Sequence, residues 1–387
     1  MFSRRTNWPL APNRFTEALN ETRRTGELLF DLTISNPTRA GLAYDEAALL
    51  DALCNPKALD YDPHPKGLLG ARQAVAKYYA ERDLSIDVES LILTTGTSEG
   101  YAFVFRLLAN PGDEILVAKP SYPLFDFLAD LQDVKLLPYS LLYDHGWQID
   151  FHTLERAITE QTRAIVLVHP NNPTGSYVSD HDRERLNALC AQHELALIAD
   201  EVFLDYAHDG VRRHSFAGNQ QALTFTLSGV SKISALPQMK LSWIAVSGPQ
   251  ELVSVALERL EVIADTYLSV STPVQWAAPA LLAQSRNIQP QIAARVRDNL
   301  VELDRQLAQQ KVCARLNVEG GWYVVLRVPA TQPDEELAIE FLQKENTVVH
   351  PGHFYDFPQD GFLVLSLIAP GDDFRKGTEK ILAHFAR

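Results

Sequence analysis

The chain has 387 residues, 46% of them hydrophobic and 22% charged, enough for a large buried core and room for one large domain with a smaller one appended. Its formal net charge of -14 opposes unaided binding to nucleic acid or to anionic membrane surfaces, because phosphate contacts need clustered Lys and Arg, so a small-molecule function is favoured. Cys54, Cys190 and Cys313 stand far apart with no CxxC pair and read as buried free thiols, so neither a disulfide framework nor a metal site is expected. The N-terminal MFSRRTNWPL is positively charged but no apolar h-region follows it, and no run is long enough to span a bilayer. A cytoplasmic protein without a membrane partner is the expectation.

In chain order, six short apolar runs read as strands: LILTT (91–95), EILVA (114–118), AIVLV (164–168), LALIA (195–199), LTFTL (223–227) and WIAVS (243–247). Most are apolar on both faces, the pattern of strands buried on both sides in a parallel sheet. Amphipathic segments lie between them, such as DHDRERLNALCAQHE (180–194) with Asp180 as its N-cap. The fold class is therefore α/β, a mainly parallel sheet covered by helices. After residue 250 a long helical region runs from Glu251 to about Gln310, followed by GGWYVVLRV (320–328), helical DEELAIEFLQ (334–343), GFLVLSLIA (361–369) and a last helix. These suit a smaller α+β domain. The expected division is 46–285 for the large domain, and 1–45 with 286–387 for the small domain and its N-terminal arm.

Ligands of open α/β sheets bind at the carboxyl ends of the strands. Four unusual segments follow such ends: TTGTSEG, NNPTG, DEVF and GVSK. Gly96 permits a tight turn, and Thr97 and Ser98 would open the next helix, where unpaired N–H groups and the helix dipole bind a phosphate. Ser98 as a plain N-cap is the ordinary alternative. Tyr122 in KPSYPLF can lay its ring on a heteroaromatic ring, or simply fill core. Asn172 in HPNNPTG can donate to a phenolate oxygen, or sit in an ordinary turn that Gly175 completes. Asp200 needs a partner to offset its desolvation; a protonated pyridine nitrogen would serve, and so would a structural ion pair, an alternative that Glu201 keeps open. Lys232, after Ser231, can form a Schiff base with an aldehyde and then move protons as a general base, or end a strand at the surface.

Together these residues resemble the aspartate aminotransferase superfamily, the class I/II aminotransferases of fold type I that use pyridoxal 5'-phosphate. The resemblance runs over nearly the whole chain, from YDPHPKGLLGARQAVAKYY (61–79) through PSYP, NNPTG, DEVF and SK to PGHF. It implies that Lys232 is the Schiff-base lysine, Asp200 the partner of the pyridine nitrogen, Asn172 a donor to the ring 3-oxygen and Tyr122 the stacking ring. Gly96, Thr97, Ser98 and Ser231 would hold the phosphate. Tyr61 is similar to the tyrosine that reaches the neighbouring subunit's cofactor, which implies a homodimer with shared sites.

Three departures from the family pattern stand out. Phe203 occupies the place of the tyrosine that usually bonds the 3-oxygen. Lys240 stands where an arginine follows the lysine by eight residues, and would serve as the phosphate cation, unless it is a solvated surface lysine. Val364 takes the place of the arginine that grips the substrate α-carboxylate, and the usual Gly-x-Pro becomes Ser35-Asn36-Pro37. Ser35, Asn36 and Arg39 are candidates to hold the substrate instead, with Arg39 equally readable as a surface residue. Trp243, Tyr267, Trp322 and Tyr323 could line an aromatic pocket, or belong to the core, and no aromatic substrate is predicted. The expected function is an aminotransferase moving an amino group from an amino donor to a 2-oxo acid. The alternatives are a β-eliminating lyase with the same cofactor, and a non-catalytic ligand-binding protein on this fold.

Overall fold

The computed structural model describes residues 1–211 and 213–386. Its centre is an eight-stranded sheet with the spatial order Leu91–Thr94, Ser242–Ser247, Thr224–Gly229, Ala196–Asp200, Thr162–Val168, Glu114–Lys119, Lys135–Tyr143 and Trp147–Ile149. The five strands from Thr224–Gly229 to Lys135–Tyr143 pair in parallel. Ser242–Ser247 is antiparallel to both its neighbours, and Trp147–Ile149 closes the far edge antiparallel.

Alternation along the inner strands explains their apolar runs. Ile115 and Val117 enter one hydrophobic cluster while Leu116 and Ala118 enter another; Ala164 and Val166 separate from Ile165 and Leu167 in the same way. Successive side chains point to opposite faces, so a sheet covered on both sides needs apolar residues throughout. All six expected strands are present. The two further ones were not marked by this signal: KLLPYSLLY mixes exposed and partly buried residues around a buried Tyr139 and carries Pro138, as a strand near a sheet edge can.

Three expectations are corrected. Ser179, not Asp180, caps the helix Asp180–His193, its hydroxyl accepting the Asp182 N–H at 3.0 Å, while Asp180 lies inside the first turn beside His214. The region 251–310 is not one long helical run but three helices, Gln250–Asp265, Thr272–Ala283 and Ser285–Leu307, interrupted at 266–271 and at Gln284. Cys190 and Cys313 are buried, but Cys54 is exposed, because it lies just past the end of the helix Glu46–Leu53, where nothing packs over it.

A four-stranded antiparallel sheet, ordered Ala314–Arg315, Tyr323–Arg327, Phe362–Ser366 and His350–Pro351, organises the rest. Helices Asp334–Glu345 and Gly371–His384 share its core. The N-terminal segment joins this part: Phe30–Asp31 pairs in parallel with Thr347–Val348, and the Ser366 N–H donates to Leu32 O at 2.7 Å. Two contacts tie it to the large sheet near the site, Ser121 N–H to Tyr355 O at 2.9 Å and Lys119 to Asp356 at 3.2 Å.

Candidate active site

Two antiparallel steps restore the direction of Leu91–Thr94 to that of the parallel strands, so the segments after residues 94, 168, 200 and 229 leave one rim of the sheet. The helix Thr97–Leu108 starts on Gly96 with no side-chain cap, leaving its first donors turned outward. A Cβ at Gly96 would stand 3.4 Å from Lys240 Nζ, so the cation reaches the head of this helix from the start of the adjoining strand Ser242–Ser247. Lys240 gets there by a left-handed backbone turn (φ 52°) after the short helix Pro237–Met239. Ser231 is half-buried in the single helical turn Val230–Ile233 that follows the Thr224–Gly229 strand.

The strand Ala196–Asp200 ends in a buried carboxylate. Asp200 accepts the Tyr101 hydroxyl and the Val202 N–H, both at 3.1 Å. Burial pushes its pKa up to about 6, against the pull of those two bonds and of the Lys232 charge. Lys232 is half-buried and shifted the other way: burial brings its ammonium down to about 8, with Asp200 opposing. Its Nζ lies 4.9 Å from the Trp322 ring centre and 5.5 Å from that of Phe203, and the Tyr206 hydroxyl donates to its carbonyl at 2.6 Å. Phe203 is buried against Trp322 and Tyr323.

Asn172 is buried, with an Oδ1 that has no hydrogen-bond partner among the described residues. Its loop is pinned at Gly175 (φ +71°), whose carbonyl accepts the N–H groups of Glu319 at 3.2 Å and Gly320 at 2.9 Å. The packing leaves no room for side chains: a Cβ at Gly175 would meet Gly320 O at 2.5 Å, and one at Gly320 would meet the Tyr177 hydroxyl at 2.6 Å and Tyr206 O at 2.8 Å. Gly321 N–H in turn donates to Tyr206 O at 2.9 Å. The Asn172 loop, the segment after Phe203 and the Glu319–Gly321 turn that leads into Trp322 are thus joined at one crossing. Tyr122 is partly exposed and edge-on to Phe125; burial, and after it the charge of Asp200, raises its phenol pKa.

The remaining candidates divide. Ser35 lies near enough to Tyr323 to lower its phenol pKa slightly against the larger upward push of burial. Asn36 turns its Oδ1 back to Thr38, accepting its N–H at 3.1 Å and its hydroxyl at 2.8 Å, while Arg39 is exposed at the end of that turn. Tyr61 is not brought to the Lys232 cluster; it is 80% exposed beside a cavity of about 210 Å³ that Gly67, Phe103 and Ser269 also line. Trp243 belongs to the core, donating to Tyr79 at 3.0 Å, and Tyr267 lies at the surface beside Arg106. The motif reading missed Tyr101 and Tyr206. Tyr101 lies one turn from Thr97 on the same helix face, and that spacing alone could have directed attention to it.

Among the described residues no group of three or more His, Cys, Asp or Glu is placed to hold a metal ion, and no helix is long and apolar enough to cross a membrane. The model of the family "Aminotransferase class I and II" matches residues 41–373. The chain belongs to this family. It is an enzyme, a pyridoxal-phosphate-dependent aminotransferase, and the α/β fold type I expectation is borne out. Among curated relatives, the aminotransferase is 28% identical over 385 residues to the glutamate-pyruvate aminotransferase AlaA of Escherichia coli, covering 95% of this chain and 93% of that one. It is 28% identical over 369 residues to an alanine aminotransferase of Mycobacterium bovis, covering 92% and 85%. The alanine aminotransferase of Pyrococcus furiosus shares its fold with a TM-score of 0.89 at 21% identity, each chain covered in full.

The residues present fit the family's cofactor on their own chemistry. A helix start lacks a side-chain cap and has a lysine amine beside it, and a buried carboxylate calls for a cationic partner.

Proposed function

We propose that Lys232 is the residue that tethers pyridoxal 5'-phosphate and then moves the proton during amino transfer. When bound, the cofactor supplies an aldehyde for the amine and a ring that draws off the electron pair left on the donor carbon. Asp200 holds the ring nitrogen protonated, and Tyr101 keeps Asp200 ionised and oriented. Asn172 donates to the ring 3-oxygen, with Phe203 offering only an apolar edge where the family has a phenol. Gly96, Thr97, Ser98, Ser231 and Lys240 hold the phosphate, and Tyr122 covers the ring. Lys232 Nζ takes the proton from the donor's α-carbon and returns it on the cofactor side, a task suited to an amine that burial has brought near neutrality.

The observation that carries this reading is the pair at its centre: a lysine amine held among Trp322 and Phe203, next to a buried carboxylate on the adjoining strand end. Residues 46–285 form the cofactor-binding domain in this reading, with 1–45 and 286–387 as the small domain. The protein works as a cytoplasmic homodimer in which the exposed Tyr61 reaches the partner's phosphate. Alanine or glutamate is the first donor to try, given the names of the relatives.

The test is the absorption spectrum of cofactor-loaded protein before and after each amino donor, with Lys232→Ala as control, together with sedimentation for the dimer. Conversion to the amine form of the cofactor by a donor, absent in the variant, supports the assignment. A wild-type spectrum that no donor changes, or pyruvate and ammonia released without any acceptor, counts against transfer.

A further inference from the structure

Lys232 Nζ lies against Trp322, the residue before the Tyr323–Arg327 strand of the four-stranded sheet, and the face of that sheet on the site side can be read from its register. Tyr323 lies beside Phe203 and near the Tyr122 phenol, so its face is the one turned to the site. Side chains directly opposite on neighbouring strands share a face, which puts Ser366 across from Tyr323, Val364 across from Val325, and His350 across from Val364. Tyr355 completes this wall: its hydroxyl meets His350 Nδ1 at 3.1 Å and its carbonyl accepts the Ser121 N–H, beside Tyr122.

Arg327, opposite Phe362 at the far end of this face, is exposed, and Tyr323, Val325, Val364, Ser366 and His350 carry no fixed positive charge. Tyr323 and Tyr355 are kept protonated by burial. His350 is held neutral, since burial lowers its pKa to about 4 although Asp31 pulls it upward. Of the nearby cations, Lys119 pairs with Asp356 at 3.2 Å, Arg295 turns its Nη1 to the carbonyls of Ala40, Ile368 and Ala369 beyond the end of the Phe362–Ser366 strand, and Arg39 is exposed. A carboxylate placed here would meet hydroxyl and imidazole donors but no ion pair, and a neutral polar group would meet the same donors.

We propose that this aminotransferase does not require a carboxylate on its amino donor, and that amines whose amino-bearing carbon carries a neutral group, such as a carboxamide or a hydroxymethyl, are substrates on a par with the corresponding amino acids. The inference rests on the amino-transfer reading above. In the balanced reaction R–CH(NH₂)–X and a 2-oxo acid give R–CO–X and an amino acid: the donor carbon loses its hydrogen and amino group, two electrons pass to the acceptor carbon, and the acceptor's carbonyl oxygen is replaced through water. The acceptor's own carboxylate rests on the same neutral donors.

The experiment is a set of matched pairs on the cofactor-loaded wild-type enzyme: alanine and alaninamide, phenylalanine and phenylalaninamide, phenylalanine and phenylalaninol. For each, the single-turnover rate of the spectral change is measured as a function of donor concentration. A second readout is calorimetric binding of the unreactive pair 3-phenylpropionate and 3-phenylpropanamide. The expected result is rates and affinities within about tenfold across each pair, since a hydrogen bond shared by acid and amide leaves only a modest difference. An acid preferred by about a hundredfold or more overturns the proposal while leaving amino transfer intact, because that preference needs a cation, Arg39 included. Inertness toward every member of every pair sinks the amino-transfer reading and this inference with it.

Discussion

Replacing Tyr101 with Phe removes one hydroxyl and leaves a ring that still packs edge-on against Phe105 and Phe125. What is lost is a 3.1 Å hydrogen bond to the buried Asp200. A bond to a charged group contributes about 1.5–3 kcal/mol, and a tenfold change in an ionisation equilibrium corresponds to about 1.4 kcal/mol. The Asp200 pKa, about 6 in the wild-type protein, should therefore rise to roughly 7 or 8, the Val202 N–H and the Lys232 charge remaining. At pH 7 the wild-type carboxylate is mostly ionised and ready for a cationic ring nitrogen; in the variant it is half or more protonated. The assay is the dissociation constant of pyridoxal 5'-phosphate from pH 5 to 9, with Asp200→Asn as the reference that cancels the cofactor's own titration. Wild-type affinity should fall below a midpoint near 6, and the Tyr101→Phe midpoint should lie at about pH 7 or above, the two curves meeting in alkali. An unmoved midpoint, or a uniform loss at every pH, would falsify the electrostatic role of Tyr101 and leave it as packing. The same group sets a stability trend in the cofactor-free protein. Its folded pKa lies above the ordinary 3.8, so the folded state holds the extra proton in that window and stability falls as pH rises from about 4 to about 6, by roughly 3 kcal/mol.

Lys232 gives the complementary trend: its ammonium is lowered from 10.5 to about 8, so folding is disfavoured at neutral pH and recovers as pH climbs from about 8 to 10.5. Cofactor-free Lys232→Met should accordingly resist urea better than wild type at pH 7, by up to roughly 3 kcal/mol, and a gap that fails to narrow in alkali would contradict the cause given. Lys240→Met should shrink the affinity ratio of pyridoxal 5'-phosphate over unphosphorylated pyridoxal by about tenfold or more; an unchanged ratio would return Lys240 to the solvated surface. Gly96→Ala should lower cofactor affinity with less than about 1 kcal/mol change in stability, because its extended backbone (φ -175°) accepts any residue while the new methyl crowds Lys240 Nζ. Gly229→Ala should cost about 1–3 kcal/mol or more in a denaturant titration, since its Cβ would stand 2.8 Å from Ser242 Cβ and 2.9 Å from Leu241 O.

The central sheet was readable because burial on both faces writes itself as unbroken apolar runs, and residues 115–118 and 164–168 are such runs. Lys135–Tyr143 escaped because partial burial blurs the run and Pro138 argues against a strand. Lys232, Asp200 and Asn172 were legible because each is a costly residue to place at a strand end, and the rim brings all three segments together. Tyr101 and Tyr206 were not, for a tyrosine on an inward helix face or beyond a strand resembles any core aromatic until its hydroxyl's partner is known. The charge balance of the wall around Val364 was half legible. The missing arginine is a feature of the sequence, but whether another cation replaces it depends on where Lys119 and Arg295 spend their charge, which only the folded arrangement decides.

The crossing at Gly175 and Gly320 has a consequence for the history of the chain. Each glycine is the wall against which another segment rests: Val318 and Gly320 for the first, Tyr177 and Tyr206 for the second. A side chain gained at one position would be tolerated only after a reduction at another, and neither step alone is neutral. Substitutions at 175, 177, 206, 318 and 320 should therefore be epistatic, accumulating in paired steps, so that lineages differing here differ at several of these positions at once.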